Sequence, residues 1–488
     1  MTVLLLILIP ALAGGLAFCT RADKMRRALL VVTAVAHAGL TTTAWFWKPA
    51  PALGGWLMLD GLGLLFLSIT SALFLPVSVY AVNYLRRERH EGIKDVEEGF
   101  LFDNAPEATF TACLLFFLAA MTLVTLSQHV GLLWVAVEAT TLASAPLIYF
   151  HRHHRSLEAT WKYLLICSVG IALALLGNFF LAVAALKTSG EPIPMVFGDL
   201  MTQAAQLHAP WLKAAFILIL IGYGTKMGLA PLHTWLPDAH SESPSVISAL
   251  LSGALLNCAC LGSLRTQQVC AAAGLGDFSR ELLVGFGLIS MVVAAVFIVG
   301  QSDYKRMLAY SSVEHVGILA LGIGLGGAGV FGALLHAINH SLTKAMLFLV
   351  AGNILGAYRT KSTAEVRGVL RVLPVSGVLW VAGLFAITGS PPFGPFLSEF
   401  TILKASLDQG RTVVATIYLA LLAVIFIGMT TVALRMAQGE VTREPQRELL
   451  IAVLPPALLG GGMLLLGLYL PPAINNLLHE TARSLGGQ

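Results

Sequence analysis

Charged side chains are scarce in this sequence. They make up 11% of its 488 residues, and 57% of the chain is hydrophobic; a soluble domain carries roughly a quarter charged residues. The balance excludes a soluble globular enzyme and points to a polytopic membrane protein. Cysteine is sparse as well. The six present (Cys19, Cys113, Cys167, Cys258, Cys260, Cys270) lie mostly inside or beside apolar runs. Cys258-x-Cys260 has the wrong spacing for a zinc or iron–sulfur site, and no second pair accompanies it. All six read as small apolar filler. No glycine-rich phosphate loop follows a strand, and no long polar segment could house a cofactor domain. The longest polar stretch, 86–107, mixes both signs and reads as a cytoplasmic loop touching a neighbour. No cofactor and no metal are therefore expected. The slight excess of positive charge, +4, needs no nucleic-acid partner.

What the chain does have is apolar runs long enough to cross a bilayer. About fourteen spans are expected, each near the ~20 residues a crossing needs, so the fold class is all-α. The stretch 374–409 reads as one discontinuous crossing and 412–434 as the next. The first span, 2–18, has no basic residues before it and no A-x-A-like site after it, so it reads as an anchor and not a removed signal peptide. Placing the loop with Arg21, Lys24, Arg26 and Arg27 in the cytoplasm puts about 20 Lys and Arg on that side and about 7 on the other, a positive-inside bias that sets both termini in the periplasm of a bacterial inner membrane.

Against that background each charge inside a span carries information. Lys226 lies in an apolar stretch, 216–231 (FILILIGYGTKMGLAP), followed by Pro231 and Pro237. A lone ammonium at bilayer depth costs about 2.5–3.5 kcal/mol even on the gentler scales. It is tolerated where it faces a paired or hydrated interior, and interrupted helices build such interiors. The segment from Gly228 (GLAPLHTWLPD) is similar to that from Gly389 (GSPPFGPFLSE): Gly228 aligns with Gly389, Pro231 with Pro392 and Leu236 with Leu397. The two lie five spans apart, so an inverted repeat is expected. The predicted organisation is an N-terminal three-span segment 1–105, repeat one at 106–266 with its break near 226–237, repeat two at 282–436 with its break near 389–399, and a C-terminal span in 437–488. Chance recurrence of Pro and Gly in apolar helices is the plainer alternative.

Glu138 sits mid-span, followed by small residues that permit close helix approach. It reads as a carboxylate that pairs with Lys226 or exchanges a proton; a structural ion pair is the alternative. His336, His340 and Lys344, at i, i+4 and i+8, share one helix face over roughly 12 Å. Such a ladder suits lateral proton transfer. Glu399 follows the second break, with Lys404 five residues on as a partner or a snorkelling lysine. Glu314 and His315 come just after Asp303-Tyr-Lys-Arg, and His233, Asp238, His240 and Glu242 cluster after the first break. Loop polarity and capping explain that cluster better than a metal. The run His151-Arg-His-His-Arg reads as a positive-inside anchor.

Three of these stretches carry a resemblance. Lys226-Met-Gly-Leu-Ala-Pro-Leu-His-Thr-Trp-Leu-Pro-Asp-Ala, Gln301-Ser-Asp-Tyr-Lys-Arg-Met-Leu-Ala-Tyr-Ser-Ser and His336-Ala-Ile-Asn-His-Ser-Leu-Thr-Lys-Ala resemble the Mrp-antiporter-like subunits. That family includes the proton-pumping membrane subunits of respiratory complex I, of Mrp Na⁺/H⁺ antiporters and of membrane-bound NiFe hydrogenases. The resemblance covers about residues 55–435. It implies that Glu138 is the family's fifth-helix glutamate, Lys226 the lysine of the first broken helix, His336, His340 and Lys344 the central hydrophilic axis, and Glu399 the charge of the second broken helix. Asp303, His233, Asp238, Glu314, His315 and Lys404 would support them. Ser312-Val-Glu-His-Val-Gly and Gly389-Ser-Pro-Pro-Phe look most like the compact F-type subunit of hydrogenase-4 and formate-hydrogenlyase-type complexes.

One departure stands out. The helix after the first break often carries a lysine or histidine in the family, whereas 245–265 offers Ser252 and Asn257. The resemblance implies a subunit that moves protons or Na⁺ when an attached redox module turns over. Its partners would be other antiporter-like and small membrane subunits, a peripheral NiFe-hydrogenase-like or complex I-like module, and the lipid bilayer. A complex I or Mrp subunit, the membrane half of a bicarbonate-accumulating complex, a non-conducting scaffold and a small-solute transporter are the alternatives. The topology is directly testable. A cysteine placed at Gln488 is expected to react with a membrane-impermeant thiol reagent in intact cells, and labelling only after the cells are opened would reverse the orientation.

Overall fold

A computed structural model describes the chain except residues 89–91, 95–98, 100, 188–190, 442 and 488, so Gln488 lies outside the described residues. Among the described residues the protein is a bundle of helices with one two-residue strand pair, Ile93–Lys94 against Leu101–Phe102, in the loop after the third long helix. Among the described residues, twelve helices are long and apolar enough to cross a membrane. The fourteen expected crossings are reached only by counting two interrupted pairs, Ala209–Met227 with Trp235–Glu242 and Pro374–Ile387 with Gly394–Asp408, as one crossing each. Boundaries shift where polar residues extend a helix past the hydrocarbon. The sixth long helix begins at His154, not near 163.

The bundle inverts the usual distribution of polarity. Large apolar side chains such as Leu165, Val169, Phe179, Val296 and Ile427 point outward, while Lys226, His336, Asn339 and Lys344 are fully buried. Lipid solvates the former and cannot solvate the latter. The helix Ser245–Ala272 is buried throughout its apolar window, and Tyr304–Leu325 nearly so. Both flank the long helix Ala328–Tyr358, which also packs against Gly394–Asp408 and Leu450–Leu468.

The two breaks share one backbone design. Each preceding helix ends at a glycine in the left-handed region, Gly228 at φ 89° and Gly389 at φ 65°, where a side chain would be strained. The residue after each glycine donates its N–H five residues back, Leu229 to Gly224 O and Ser390 to Phe385 O, both at 2.8 Å. Three residues later the chain turns again, through Leu232 N–H to Leu229 O at 3.1 Å and Phe393 N–H to Ser390 O at 3.2 Å. A cis X-Pro bond sits in each, Ala230–Pro231 and Pro391–Pro392. The aligned sequence positions thus carry matching hydrogen bonds. The last long helix closes over the second break: a Cβ at Gly467 would clash with Pro392 O.

Two readings of the loops change. The His151–Arg155 run is not simply a charged anchor. His151 is wedged between Asn104 Oδ1 (Nδ1, 2.7 Å) and the Tyr84 hydroxyl (Nε2, 2.9 Å). Burial, then the neighbouring His153, lowers its pKa to about 3, so the ring is neutral and pins two loops together. Cysteine is filler at five positions, but Cys19 is exposed at a helix end.

One ion pair ties the N-terminal segment to the buried helix. Asp60 caps the helix Gly61–Arg87 through Gly63 N–H (2.9 Å) and accepts both terminal nitrogens of Arg265, whose Nη2 lies 2.7 Å from Oδ1. Burial pushes the Asp60 carboxyl up, but the Arg265 guanidinium outweighs it and holds the group below its ordinary value. Asp60→Ala removes the cap and leaves Arg265 buried without its counter-ion. We expect a loss of about 3 kcal/mol, read as a lower unfolding midpoint of the solubilised protein. Asp60→Leu combined with Arg265→Met should recover most of it.

Candidate functional site

Lys226 ends the helix Ala209–Met227, one residue before the first break resumes the chain in a new direction. Its ammonium is fully buried and reaches across to the Glu138 helix, Val130–Ile148. There it donates to Val137 O at 2.7 Å and to the Thr141 hydroxyl. It does not form an ion pair with Glu138. The Thr141 hydroxyl instead donates to Glu138 Oε2 at 3.1 Å, so one hydroxyl accepts from the lysine and donates to the carboxylate. Glu138 also accepts from Ser168 Oγ at 3.4 Å, and its side chain is partly exposed. The sequence pointed to both charges and missed the threonine between them. Its signal was the position i+3 from the glutamate, on the same helix face.

Lys344 repeats the arrangement on the long helix Ala328–Tyr358. Its ammonium donates to Leu308 O at 2.6 Å and to the Ser311 hydroxyl of the helix Tyr304–Leu325. In both cases the lysine binds a main-chain carbonyl and a hydroxyl one turn further along a neighbouring helix. Lys305 instead binds two main-chain carbonyls, Ser241 O (3.0 Å) and Ser243 O (2.6 Å), at the end of the helix Trp235–Glu242. Glu314, one turn beyond Ser311, is buried with Oε2 unpartnered and is the carboxylate that acts electrostatically on Lys344.

The histidine stripe is not a single file. His336 and His340 lie on one face as expected, with ring centroids 6.5 Å apart. His315, from the neighbouring helix, stands between them at 5.0 Å from His336 and 5.2 Å from His340. His315 Nδ1 and His336 Nε2 share a hydrogen bond at 2.9 Å, and His336 Nδ1 pairs with Ser398 Oγ at 3.0 Å. Ser398 precedes Glu399 on the helix that follows the second break. Glu399 is buried, and its carboxyl group fills the space that Gly389 leaves empty: a Cβ there would clash with Oε2. Oε1 has no hydrogen-bond partner. Asn339 presses on the same break, with its Oδ1 where a Cβ of Gly394 would clash.

The remaining residues serve the connections. Asp238 binds Lys162 (2.9 Å) and Arg306 (3.0 Å), and Glu242 binds Lys361 (2.8 Å). Asp303 caps the helix Tyr304–Leu325 and accepts from Ser241 at 2.5 Å. His233 packs beside Tyr310, ring centroids 6.3 Å apart. His240 stacks on Phe348 at 4.8 Å with neither nitrogen hydrogen-bonded. Lys404 turns away from Glu399 and pairs with Asp408 at 2.6 Å on an exposed face.

The helix Ser245–Ala272, which lacks the expected titratable group, carries a π-turn over Leu251–Leu255, a distortion found often at functional sites. It aims Ser252 at Ser312 (2.8 Å between hydroxyls) and precedes Asn257, which donates to Ser341 Oγ at 2.8 Å. Donor atoms of His315, His336 and Glu399 all lie within 4.8 Å of one another, the set among the described residues that could hold a metal. The two facing imidazole nitrogens of His315 and His336 are already paired with each other at 2.9 Å.

Comparison with known proteins follows the same lines. The family described as NADH:quinone oxidoreductase/Mrp antiporter, TM, matches residues 127–426. The "Hydrogenase-4 component F homolog" of Methylacidiphilum infernorum is 36% identical over 430 residues, 86% of this chain and 87% of that protein. Among solved structures, a chain of the membrane-bound sulfane sulfur reductase, an archaeal respiratory membrane complex, superposes with a TM-score of 0.87 at 21% identity, covering 99% of this chain and 98% of that one. A chain of the Mrp complex from Dietzia sp. DQ12-45-1b gives 0.85 at 18%, covering 99% and 97%. These two likenesses show the fold. The family match spans more than half of the sequence and a relative above 30% identity is covered nearly end to end, so this chain belongs to the NADH:quinone oxidoreductase/Mrp antiporter family, as an antiporter-like membrane subunit of the hydrogenase-4, Mrp and complex I group.

Proposed function

We propose that this chain translocates protons across a bacterial inner membrane, as a subunit of a redox-driven complex of the membrane-bound hydrogenase type. The observation that carries the reading is a series of polar groups, nearly all buried, between the two breaks. Glu138, Thr141 and Lys226 are joined by hydrogen bonds, as are Asn257 with Ser341, Ser252 with Ser312, Lys344 with Ser311, and His336 with His315 and Ser398, and Glu314, His340 and Glu399 are buried beside them. The carboxyl, amino, imidazole and hydroxyl groups among them can carry or hand on a proton, and such groups are costly in a membrane unless they serve one another. The Component F homolog supports a hydrogenase-type redox partner, with other antiporter-like and small membrane subunits beside the chain.

In this reading the two breaks belong to inverted five-helix repeats, 106–266 and 282–436, and both termini face the periplasm. The matching hydrogen bonds around Gly228 and Gly389 support the repeat. Lys226 is the switch of the first half. When its carbonyl and hydroxyl ligands hold it, it is separated from Glu138 by Thr141; movement of either helix changes how strongly the carboxylate is felt and so the proton affinity of the lysine.

Lys226→Ala is expected to abolish proton uptake coupled to redox turnover in sealed vesicles, while the complex still assembles. Uptake near the wild-type ratio would favour a scaffold. Thr141→Val removes the hydroxyl between lysine and carboxylate without changing side-chain shape much. One lost ligand to a buried charge costs about 1–3 kcal/mol, so protons moved per turnover should fall about tenfold, with redox turnover less affected.

A further inference from the structure

Away from the buried polar groups, a cleft of about 490 Å³ opens on the outer surface of the bundle. It lies where three segments meet: the turn after the helix Gly276–Ile298, the loop after Ala328–Tyr358, and the last turns of Thr412–Ala437. We propose that this cleft binds one anionic phospholipid, with the phosphate between Arg367 and Arg435 and the acyl chains leaving past Val424 and Ile427. The site stands independently of the translocation reading.

Polarity changes along the cleft as it does along a lipid. Arg435 is in the last turn of its helix, and Ile427 lies just over two turns before it, about 12 Å along the axis. The interfacial layer of a bilayer is roughly 5–8 Å deep on each side, so an arginine at headgroup level sets Ile427 and Val424 in the hydrocarbon. Val299, Val424 and Ile427 are exposed there, and the same helix turns Val413 and Ile417 outward. Ser302 and Thr363 share the polar end with the two arginines.

Charge selects the headgroup. Among the described residues the lining holds two guanidinium groups and no carboxylate. Other basic residues near these loops are engaged: Lys361 with Glu242, Arg306 with Asp238, and Arg443 with the carbonyls of Ala357 and Tyr358. Arg367 spends only Nε, on Ala364 O at 3.1 Å, and among the described residues neither it nor Arg435 has an ion pair. A guanidinium fork suits a phosphate, and basic clefts between helices at the membrane surface recognise anionic headgroups. A zwitterionic lipid would bring a third cation beside these two.

The cleft is also preformed and small. Thr363 N–H donates to Ser302 O at 2.8 Å and Gly368 N–H to Gln438 O at 2.9 Å, which ties the rim together. Gly428 lets its helix approach the end of Gly276–Ile298, where a Cβ would meet Ile298 Cγ2 at 3.2 Å. A helix with side chains is about 10–12 Å across, so the space admits about one turn of a partner helix, whereas a single headgroup fits whole.

The test uses the intact complex in phosphatidylcholine nanodiscs carrying a trace of photoactivatable phosphatidylglycerol, with cross-linked peptides identified by mass spectrometry. Label is expected within 299–302 and 424–435, displaced by excess unlabelled phosphatidylglycerol and not by inorganic phosphate. Arg367→Gln with Arg435→Gln should lower it at least tenfold, and Arg367→Lys with Arg435→Lys should keep most of it. Thr431→Glu leaves both arginines but adds a carboxylate to the lining; it should lower labelling too, and it decides if the glutamine pair does not assemble. Labelling unchanged in these acid and glutamine variants overturns the site. Equal displacement by inorganic phosphate would make it a site for a soluble anion and overturn the lipid. Absence of label in the intact complex also overturns it, and label regained on the isolated chain would then identify a partner subunit as the occupant.

Discussion

The structure depends on how a buried ammonium group is held. Three lysines, Lys226, Lys305 and Lys344, lie inside the bundle, and each donates to main-chain carbonyl oxygens of another helix. None of the three is matched one-to-one by a carboxylate in contact. A tight buried ion pair would hold both partners in one state, and breaking it would leave an uncompensated charge costing several kcal/mol. Carbonyl and hydroxyl ligands bind the ammonium without fixing a counter-charge. The lysine is thereby left responsive to a carboxylate at one remove, Glu138 for Lys226 and Glu314 for Lys344.

That arrangement is met at a helix end beside the first break, whereas Lys344 reaches its carbonyl from within the unbroken helix Ala328–Tyr358. A carbonyl inside an intact helix is occupied by the N–H four residues on, and the second lone pair is accessible only to a donor arriving from the side. Lys226 arrives in this way because its own helix ends beside the partner helix at Gly228. At the second break the same backbone turn is used to bury a carboxylate. Gly389 has no Cβ where the Glu399 oxygen sits, and Gly467 lets the last long helix close over Pro392 O. One turn geometry therefore accommodates a cation in the first half and an anion in the second.

The sequence was legible where physics makes composition decisive. A membrane charge is costly, so Glu138, Lys226, Lys344 and Glu399 were visible as isolated letters in apolar runs, and periodicity put His336, His340 and Lys344 on one face. The breaks were visible because proline and glycine punctuate a helix. What could not be read was which neighbouring helix meets each charge. Thr141, Ser311 and Ser398 are ordinary small residues of membrane helices, and only packing turns them into ligands. His315 was seen but not placed, because its partners lie on another helix and periodicity speaks only along one. Lys404, near Glu399 in sequence, faces outward to Asp408 instead, since five residues along a helix is well off the same face.

The helix Ser245–Ala272 shows why a missing titratable group need not close the proposed route. A lysine or histidine stores a proton, whereas a hydroxyl passes one on by accepting at its oxygen while releasing its own hydrogen. Ser252 meets Ser312 at 2.8 Å, and Ser312 adjoins Ser311, which holds Lys344. Asn257 approaches from the Lys226 side and donates to Ser341 on the long helix. Ser252 lies within the π-turn Leu251–Leu255, and Asn257 follows two residues beyond it. In the proposed route the segment between Lys226 and Lys344 passes a proton through hydroxyls and holds no cation of its own. An additional cation at that point would repel both lysines at once in a medium that screens poorly.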